Sequence, residues 1–129
     1  MSVHLDPLTP LAFLERTVRV YPSKTAVRYG ALRWSWQEFA AQVGLLAGAL
    51  LRAGIAPGDR VGFVTPNTPE LLVAHFACLL ARAPLVAINT RLKREEVAYI
   101  LAHSGAKLAF VDPELALQVH AREELGIDP

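Results

Sequence analysis

Between Arg60 and Val111 the chain alternates three short apolar runs with two helix-length segments, and this alternation limits the fold more than any other feature. The runs are Arg60–Val64, with apolar Val61, Phe63 and Val64, then Pro84–Ile88, then Leu108–Val111. They are apolar throughout and do not alternate with polar residues, as strands do when both faces are covered. The intervening segments are long enough for the crossovers that parallel neighbours require. The expected class is α/β, a mostly parallel sheet flanked by helices. No linker, repeat or low-complexity segment divides the 129 residues, so one domain over residues 1–129 is expected.

Upstream of the first run the patterns change. Thr9-Pro10 reads as an N-cap followed by proline at the first helical position, with Leu11, Leu14 and Val18 at helical spacing and Tyr21-Pro22 as the stop. Thr25–Tyr29 and Leu32–Trp34 read as strands around a Gly30-Ala31 turn, which predicts a short N-terminal β-hairpin. Ser35-Trp36-Gln37-Glu38 fits a capping box. Trp36, Phe39, Ala40, Val43, Leu46, Ala47, Leu50 and Leu51 then recur at offsets of three and four, one apolar helix face. Gly54 supplies a left-handed stop, with Ile55 as its apolar contact and Pro57 preventing continuation.

Pro69 opens the next helix. Its segment Leu71–Ala81 is apolar nearly all round, which predicts burial on several sides. It holds His75 and is too short to span about 30 Å of hydrocarbon. Glu95–His103 predicts a further helix with Val97, Ile100 and Leu101 inward and Gly105 at its end, and Asp112-Pro113 is expected to cap a last helix that fades near Gly126.

Composition excludes several function classes. The chain is 53% hydrophobic, which excludes intrinsic disorder. Thirteen basic and twelve acidic residues leave no basic excess for a nucleic-acid surface. A single cysteine, Cys78, excludes an internal disulfide framework. The first residues lack the basic start and apolar run of a signal peptide, so a cytoplasmic location is expected.

On an open parallel sheet, ligands bind beyond the carboxyl ends of the strands. Three segments fall there: Thr65–Thr68, Asn89–Arg91 and the Asp112 turn. Asn67, Asn89, Thr90 and Arg91 are the candidate polar groups. The competing reading is structural: Asn67, Thr68, Thr90 and Asp112 stand where helices need N-caps, and Arg91 is a candidate for an ion pair. His75 is expected in the core or a subunit contact, and Cys78 reads as a small hydrophobe. His4, His103 and His120 have no ligand spacing, and the Glu95-Glu96 and Glu123-Glu124 neighbours point about 100° apart on a helix, as solvated faces do. No catalytic, cofactor-binding or metal-ligating residue is assigned. The eight glycines are not clustered, and no Gly-x-x-x-x-Gly-Lys-Ser/Thr, Gly-x-Gly-x-x-Gly or Gly-x-Ser-x-Gly is present.

Several segments together resemble one family. In order they are Pro22-Ser23-Lys24-Thr25-Ala26, Trp34-Ser35-Trp36, Gly54-Ile55-Ala56-Pro57-Gly58-Asp59-Arg60-Val61, Pro66-Asn67-Thr68-Pro69-Glu70 and Asn89-Thr90-Arg91-Leu92, followed by Glu96, Tyr99-Ile100-Leu101 and His103-Ser104. This order is similar to the N-terminal part of AMP-forming acyl-CoA synthetases, the adenylate-forming enzymes related to luciferase. The resemblance implies a two-step reaction within fatty-acid metabolism: an acid and ATP give an acyl-adenylate, and CoA displaces AMP. It also implies that the phosphate loop, the Mg²⁺-binding acid and the catalytic lysine lie downstream. ATP, Mg²⁺ and CoA therefore belong to the full-length family, and none is expected on this segment alone.

So read, the chain is a truncated or fragmentary N-terminal segment, inactive by itself. The alternative is a free-standing interaction module, a homo-oligomer or one that joins a complementing chain. The family pattern also implies glycine at position 82 and proline at 87. Here stand Arg82 and Ala87, and the arginine is expected to crowd a close helix-to-strand passage.

Overall fold

The computed structural model describes residues 7–118. Helix α1 spans Pro10–Val20. Thr9 Oγ1 accepts the Ala12 amide at 3.1 Å, and Pro10 fills the first helical position, where its missing N–H breaks no helical bond. Strands β1 (Thr25–Tyr29) and β2 (Leu32–Ser35) form the expected antiparallel hairpin, with Val27 opposite Trp34 and Arg28 opposite Arg33.

Helix α2, Trp36–Arg52, begins with a reciprocal cap. Glu38 N–H donates to Ser35 Oγ at 3.2 Å, and Ser35 N–H donates to Glu38 Oε2 at 2.7 Å. Its buried residues Phe39, Val43, Ala47 and Leu50 lie on one face, as their spacing requires. At its end Gly54 adopts φ +83°, and Ile55 N–H reaches the Leu50 carbonyl at 3.1 Å while its side chain is buried. This closure satisfies a carbonyl of the last helical turn.

Strands β3 (Arg60–Val64), β4 (Leu85–Ala87) and β5 (Ala106–Val111) form a parallel sheet in the order β4-β3-β5. Helices α3 (Pro69–Leu80) and α4 (Arg94–Ser104) make the crossovers. Successive residues of β3 serve opposite faces. Val61 and Phe63 enter a cluster with Leu50, Ile55, Ala74 and Cys78, so α2 and α3 cover one face. Val64 joins Ile88 and Val97 under α4 on the other. A third cluster of Leu14, Val27, Phe39, Val43 and Ala77 fixes α1 and the hairpin to the α2–α3 pair. Trp34 and Trp36 pack against it, and Phe39 meets Trp36 and Phe76 edge-on at centroid distances of 6.2 and 5.4 Å.

Four expectations need correction. α3 is not buried on several sides: Val73, Ala74, Ala77 and Cys78 are buried, while Leu72, Leu79 and Leu80 are exposed. His75 is likewise exposed and so does not lie in the core, the first of its two expected places; its Nδ1 bonds the Leu71 carbonyl at 2.7 Å. The segment after Asp112 is a 3₁₀ helix over Pro113–Gln118, and the remainder of the expected last helix lies outside the described residues.

The fourth concerns Arg82. It does not crowd a passage; its side chain is exposed. Its peculiarity is in the backbone, at φ +58°, a non-glycine residue in the left-handed region. The Arg82 N–H bonds the Leu79 carbonyl at 3.0 Å and the Ala83 N–H bonds that of Cys78 at 2.8 Å, so Arg82 occupies the place where helices usually carry glycine.

Candidate functional site

All three parallel strands end on the same side, and the segments singled out in the sequence follow them. The junctions are knitted by backbone bonds: Ile88 N–H donates to the Phe63 carbonyl at 2.9 Å, and Asp112 N–H to the Val64 carbonyl at 3.0 Å. The turns after β4 and β5 thus flank the end of β3. This is the edge at which α/β sheets take ligands.

The candidates differ in how they are used. Asn89 is exposed, and its Oδ1 accepts the Arg91 N–H at 3.0 Å, a side-chain turn that shapes the loop before α4. Asp112 Oδ1 accepts the Glu114 N–H at 2.9 Å and caps the 3₁₀ helix, as a capping role requires. The N-cap of α4 is Lys93, whose N–H donates to Glu96 Oε2 at 2.8 Å, so Thr90 has no capping role. Thr68 is the N-cap of α3 by position, yet its side chain makes no cap bond. Arg91 is exposed, and among the described residues no carboxylate pairs with it.

Asn67 looks elsewhere. It lines a hollow of about 320 Å³ between the hairpin and the start of α3, beside Tyr29, Leu72 and His75. Periodicity could not have shown this hollow, because it depends on how the hairpin sits against α3.

The electrostatics of this edge are simple. Thr90 and Arg91 present a hydroxyl and a guanidinium, and the two N–H donors of the Asn89 amide have no partner among the described residues. Each of these groups is a hydrogen-bond donor of the kind that suits an anionic or carbonyl oxygen. The ion pair of Lys107 with Asp59, at 2.9 Å, lies at the opposite, amino end of β5 and β3. There the Ala56 N–H, then the Lys107 ammonium, hold the Asp59 carboxyl below its ordinary value. No group of three or more His, Cys, Asp or Glu arranged to hold a metal ion occurs among the described residues. None of the described helices is long and apolar enough to cross a membrane.

Comparison with known proteins gives a consistent result. The family model described as "AMP-binding enzyme" matches residues 14–128. A peroxisomal benzoate–CoA ligase of Arabidopsis thaliana is 40% identical over 121 residues, which cover 94% of this chain and 20% of that protein. The crystal structure of an anthranilate CoA ligase in complex with anthranoyl-AMP superposes with a TM-score of 0.84 at 26% identity, covering 88% of this chain and 22% of that one. A fatty acyl CoA synthetase of Mycobacterium tuberculosis superposes with a TM-score of 0.82 at 30% identity, covering 87% and 23%. The chain spans about a fifth of the length of the curated relatives it matches. The family-model match, the agreement in backbone and the shared parallel sheet lead to one conclusion: this chain belongs to the AMP-binding enzyme family.

Proposed function

We propose that the chain supplies the amino-terminal scaffold of an acid–CoA ligase and does not activate an acid by itself. The observation that carries this reading is the match of nearly the whole chain to only a fifth of each relative. In the reaction that family membership implies, a carboxylate oxygen attacks the α-phosphorus of ATP and expels pyrophosphate. The CoA thiol then attacks the acyl carbonyl, and AMP leaves. ATP, Mg²⁺ and CoA fall to segments beyond this one, since the sequence has no glycine-rich phosphate loop. The role left to this chain is structural: β3, β4 and β5 hold Asn89, Thr90 and Arg91 at a strand-end edge, where they would contribute donors to an anionic group of the bound acid or nucleotide.

The test is ATP–pyrophosphate exchange with benzoate, short-chain acids and fatty acids. The purified chain is assayed alone and after co-expression with the Arabidopsis benzoate–CoA ligase shorn of its matching residues. Exchange is expected only in the second case. Turnover by the chain alone would overturn the reading. A second reading, a module that assembles with itself, is favoured by the exposed leucines of α3. Sedimentation of the purified chain as a monomer at micromolar concentration argues against it.

A further inference from the structure

The β1–β2 hairpin passes from core to solvent along three cross-strand pairs. At its base Val27 stands opposite Trp34; Val27 belongs to the cluster that joins the hairpin to α2 and α3, and Trp34 packs against it. Next, Arg28 stands opposite Arg33 on the other face of the hairpin, and both are exposed. At the far end Tyr29 stands opposite Leu32, 53% and 36% exposed, and Gly30, at φ +56°, closes the turn with Ala31. The tip from Tyr29 to Leu32 therefore carries no charge, and two guanidiniums lie directly behind it. Like charges on directly opposite residues work against strand pairing. Among the described residues no carboxylate forms an ion pair with either arginine. The neighbouring chain adds the same sign. Arg16, Arg19 and Lys24 precede the pair, and no Asp or Glu stands between Glu15 and Glu38, in a chain whose formal net charge is only +1.

We propose that the hairpin tip anchors the chain on an anionic lipid surface, with Tyr29 and Leu32 in the headgroup layer and Arg28 and Arg33 at the level of the lipid phosphates. The proposal stands apart from the scaffold reading, because no step of acid activation enters it. Its dimensions agree with such an interface. Two residues at about 3.3 Å each carry the turn roughly 7 Å past the arginine pair. Interfacial apolar groups are buried to about 5–10 Å. Tyrosine suits this layer, since its ring is apolar and its hydroxyl stays wet. Arginine lays its stem along apolar surface and keeps its guanidinium with the phosphate oxygens, which it can grip with two parallel hydrogen bonds. The mutual repulsion of Arg28 and Arg33 is relieved by a sheet of negative charge, and Arg16, Arg19 and Lys24 add attraction at longer range. An acidic protein would satisfy the two arginines and leave the protruding Tyr29–Leu32 pair uncovered. The layered interface of a bilayer satisfies both at once.

Co-sedimentation of the purified chain with vesicles tests this, at about 0.1 M salt so that screening is moderate. The chain should bind vesicles of phosphatidylcholine with one-third phosphatidylglycerol and leave those of phosphatidylcholine alone in solution. Arg28→Gln with Arg33→Gln should weaken binding by about tenfold or more, while circular dichroism and melting temperature show the fold retained. Arg28→Lys with Arg33→Lys keeps the charge and should keep most of the binding. Tyr29→Ser with Leu32→Ser should weaken it in the same direction as the glutamine pair. An environment-sensitive fluorophore on Ala31→Cys, in a Cys78→Ala background, should shift to the blue on the anionic vesicles. Equal binding by the glutamine pair overturns the proposal, as does a fluorophore whose emission stays that of water. Binding that needs the arginines and ignores the loss of Tyr29 and Leu32 is adsorption without insertion, and overturns the anchor. Tight binding to polyglutamate with none to the anionic vesicles assigns the arginine pair to an acidic protein, and overturns the lipid. None of these outcomes bears on the pyrophosphate-exchange test of the scaffold reading.

Discussion

The backbone N–H of Gly58 donates to the carbonyl of Arg82 at 2.9 Å. The bond joins the turn ahead of β3 to the turn ahead of β4, so two parallel strands leave from one anchored point. Val61 N–H then takes the Pro84 carbonyl at 3.0 Å and the ladder continues. The anchor holds an arginine in a backbone region that suits glycine.

Replacing Arg82 by glycine is therefore expected to stabilise the chain. A side chain at a left-handed position costs about 1–2 kcal/mol. Glycine's greater freedom in the unfolded chain returns about 0.5–1 kcal/mol of that. The net gain is about 0.5–1 kcal/mol, a rise of a few degrees in melting temperature for a chain of this size. Arg82→Ala retains the Cβ and should not gain. Equal melting temperatures for the glycine and alanine variants would show that the arginine side chain, and not its backbone angle, sets the stability.

Where β3 passes under α4 the fit depends on Gly62. A Cβ there would stand 2.8 Å from Leu101 Cδ2 and 3.5 Å from the Ala109 Cβ. Gly62→Ala is expected to be mild, because a leucine methyl can swing aside. Gly62→Val adds bulk that cannot be accommodated without moving α4, and should cost about 1–3 kcal/mol. Leu101→Ala added to Gly62→Val should recover part of that loss. A double-mutant cycle from urea unfolding measures the coupling, and additive losses would mean the two residues do not meet.

What could be read from the sequence was what is local. The cap at Ser35 and Glu38, the stripe from Phe39 to Leu50 and the stop at Gly54 need no knowledge of the rest of the chain, and α2 agrees with its expected bounds to within a residue. The parallel sheet was legible for the same reason, since continuous apolar runs separated by helix lengths leave few alternatives. The openness of α3 was not. Apolar residues on every side of a helix announce what the helix would like to bury, and say nothing of whether the covering layer belongs to the same chain. The candidate site divides in the same manner. Strand order placed Asn89, Thr90 and Arg91 at one edge, but the side-chain turn at Asn89 and the diversion of Asn67 into the hairpin hollow depend on tertiary placement. Arg82 departs from the family pattern in bulk, and bulk is what a sequence displays. Its true peculiarity is a backbone angle, which residue type reveals only when the residue is glycine.

The reciprocal cap of α2 gives a prediction with a pH signature. Ser35→Ala removes the acceptor for the Glu38 amide and should cost about 1 kcal/mol. In the unaltered chain the Ser35 N–H, then its hydroxyl, hold the Glu38 carboxyl below its ordinary value. A carboxyl lowered in the folded state favours folding above its unfolded pKa, and that contribution disappears as pH falls through the folded one. The gap in stability between Glu38→Gln and the unaltered chain should therefore be widest near neutrality and close in acid. A gap independent of pH would dismiss the ionic contribution of the cap.

Cys78 should behave as an inert thiol under α2 and β3. It is fully buried beside Ala74 and Phe63, and burial raises its pKa from 9.0 to about 11. The thiolate is the reactive form, so alkylation by iodoacetamide at pH 8 should require opening of the core. The expected rate is lower than in the urea-unfolded chain by roughly a hundredfold or more. The same shift sets the sign of the alkaline limb. The unfolded chain loses its thiol proton first as pH rises past about 9, so the unfolded state then binds fewer protons than the folded one and stability falls until the folded thiol also ionises, near pH 11. Cys78→Ala should flatten that limb while costing some packing at every pH. Rapid alkylation of the folded chain at pH 8, or an alkaline limb of unchanged slope in the alanine variant, would contradict a sealed thiol between α3 and the sheet.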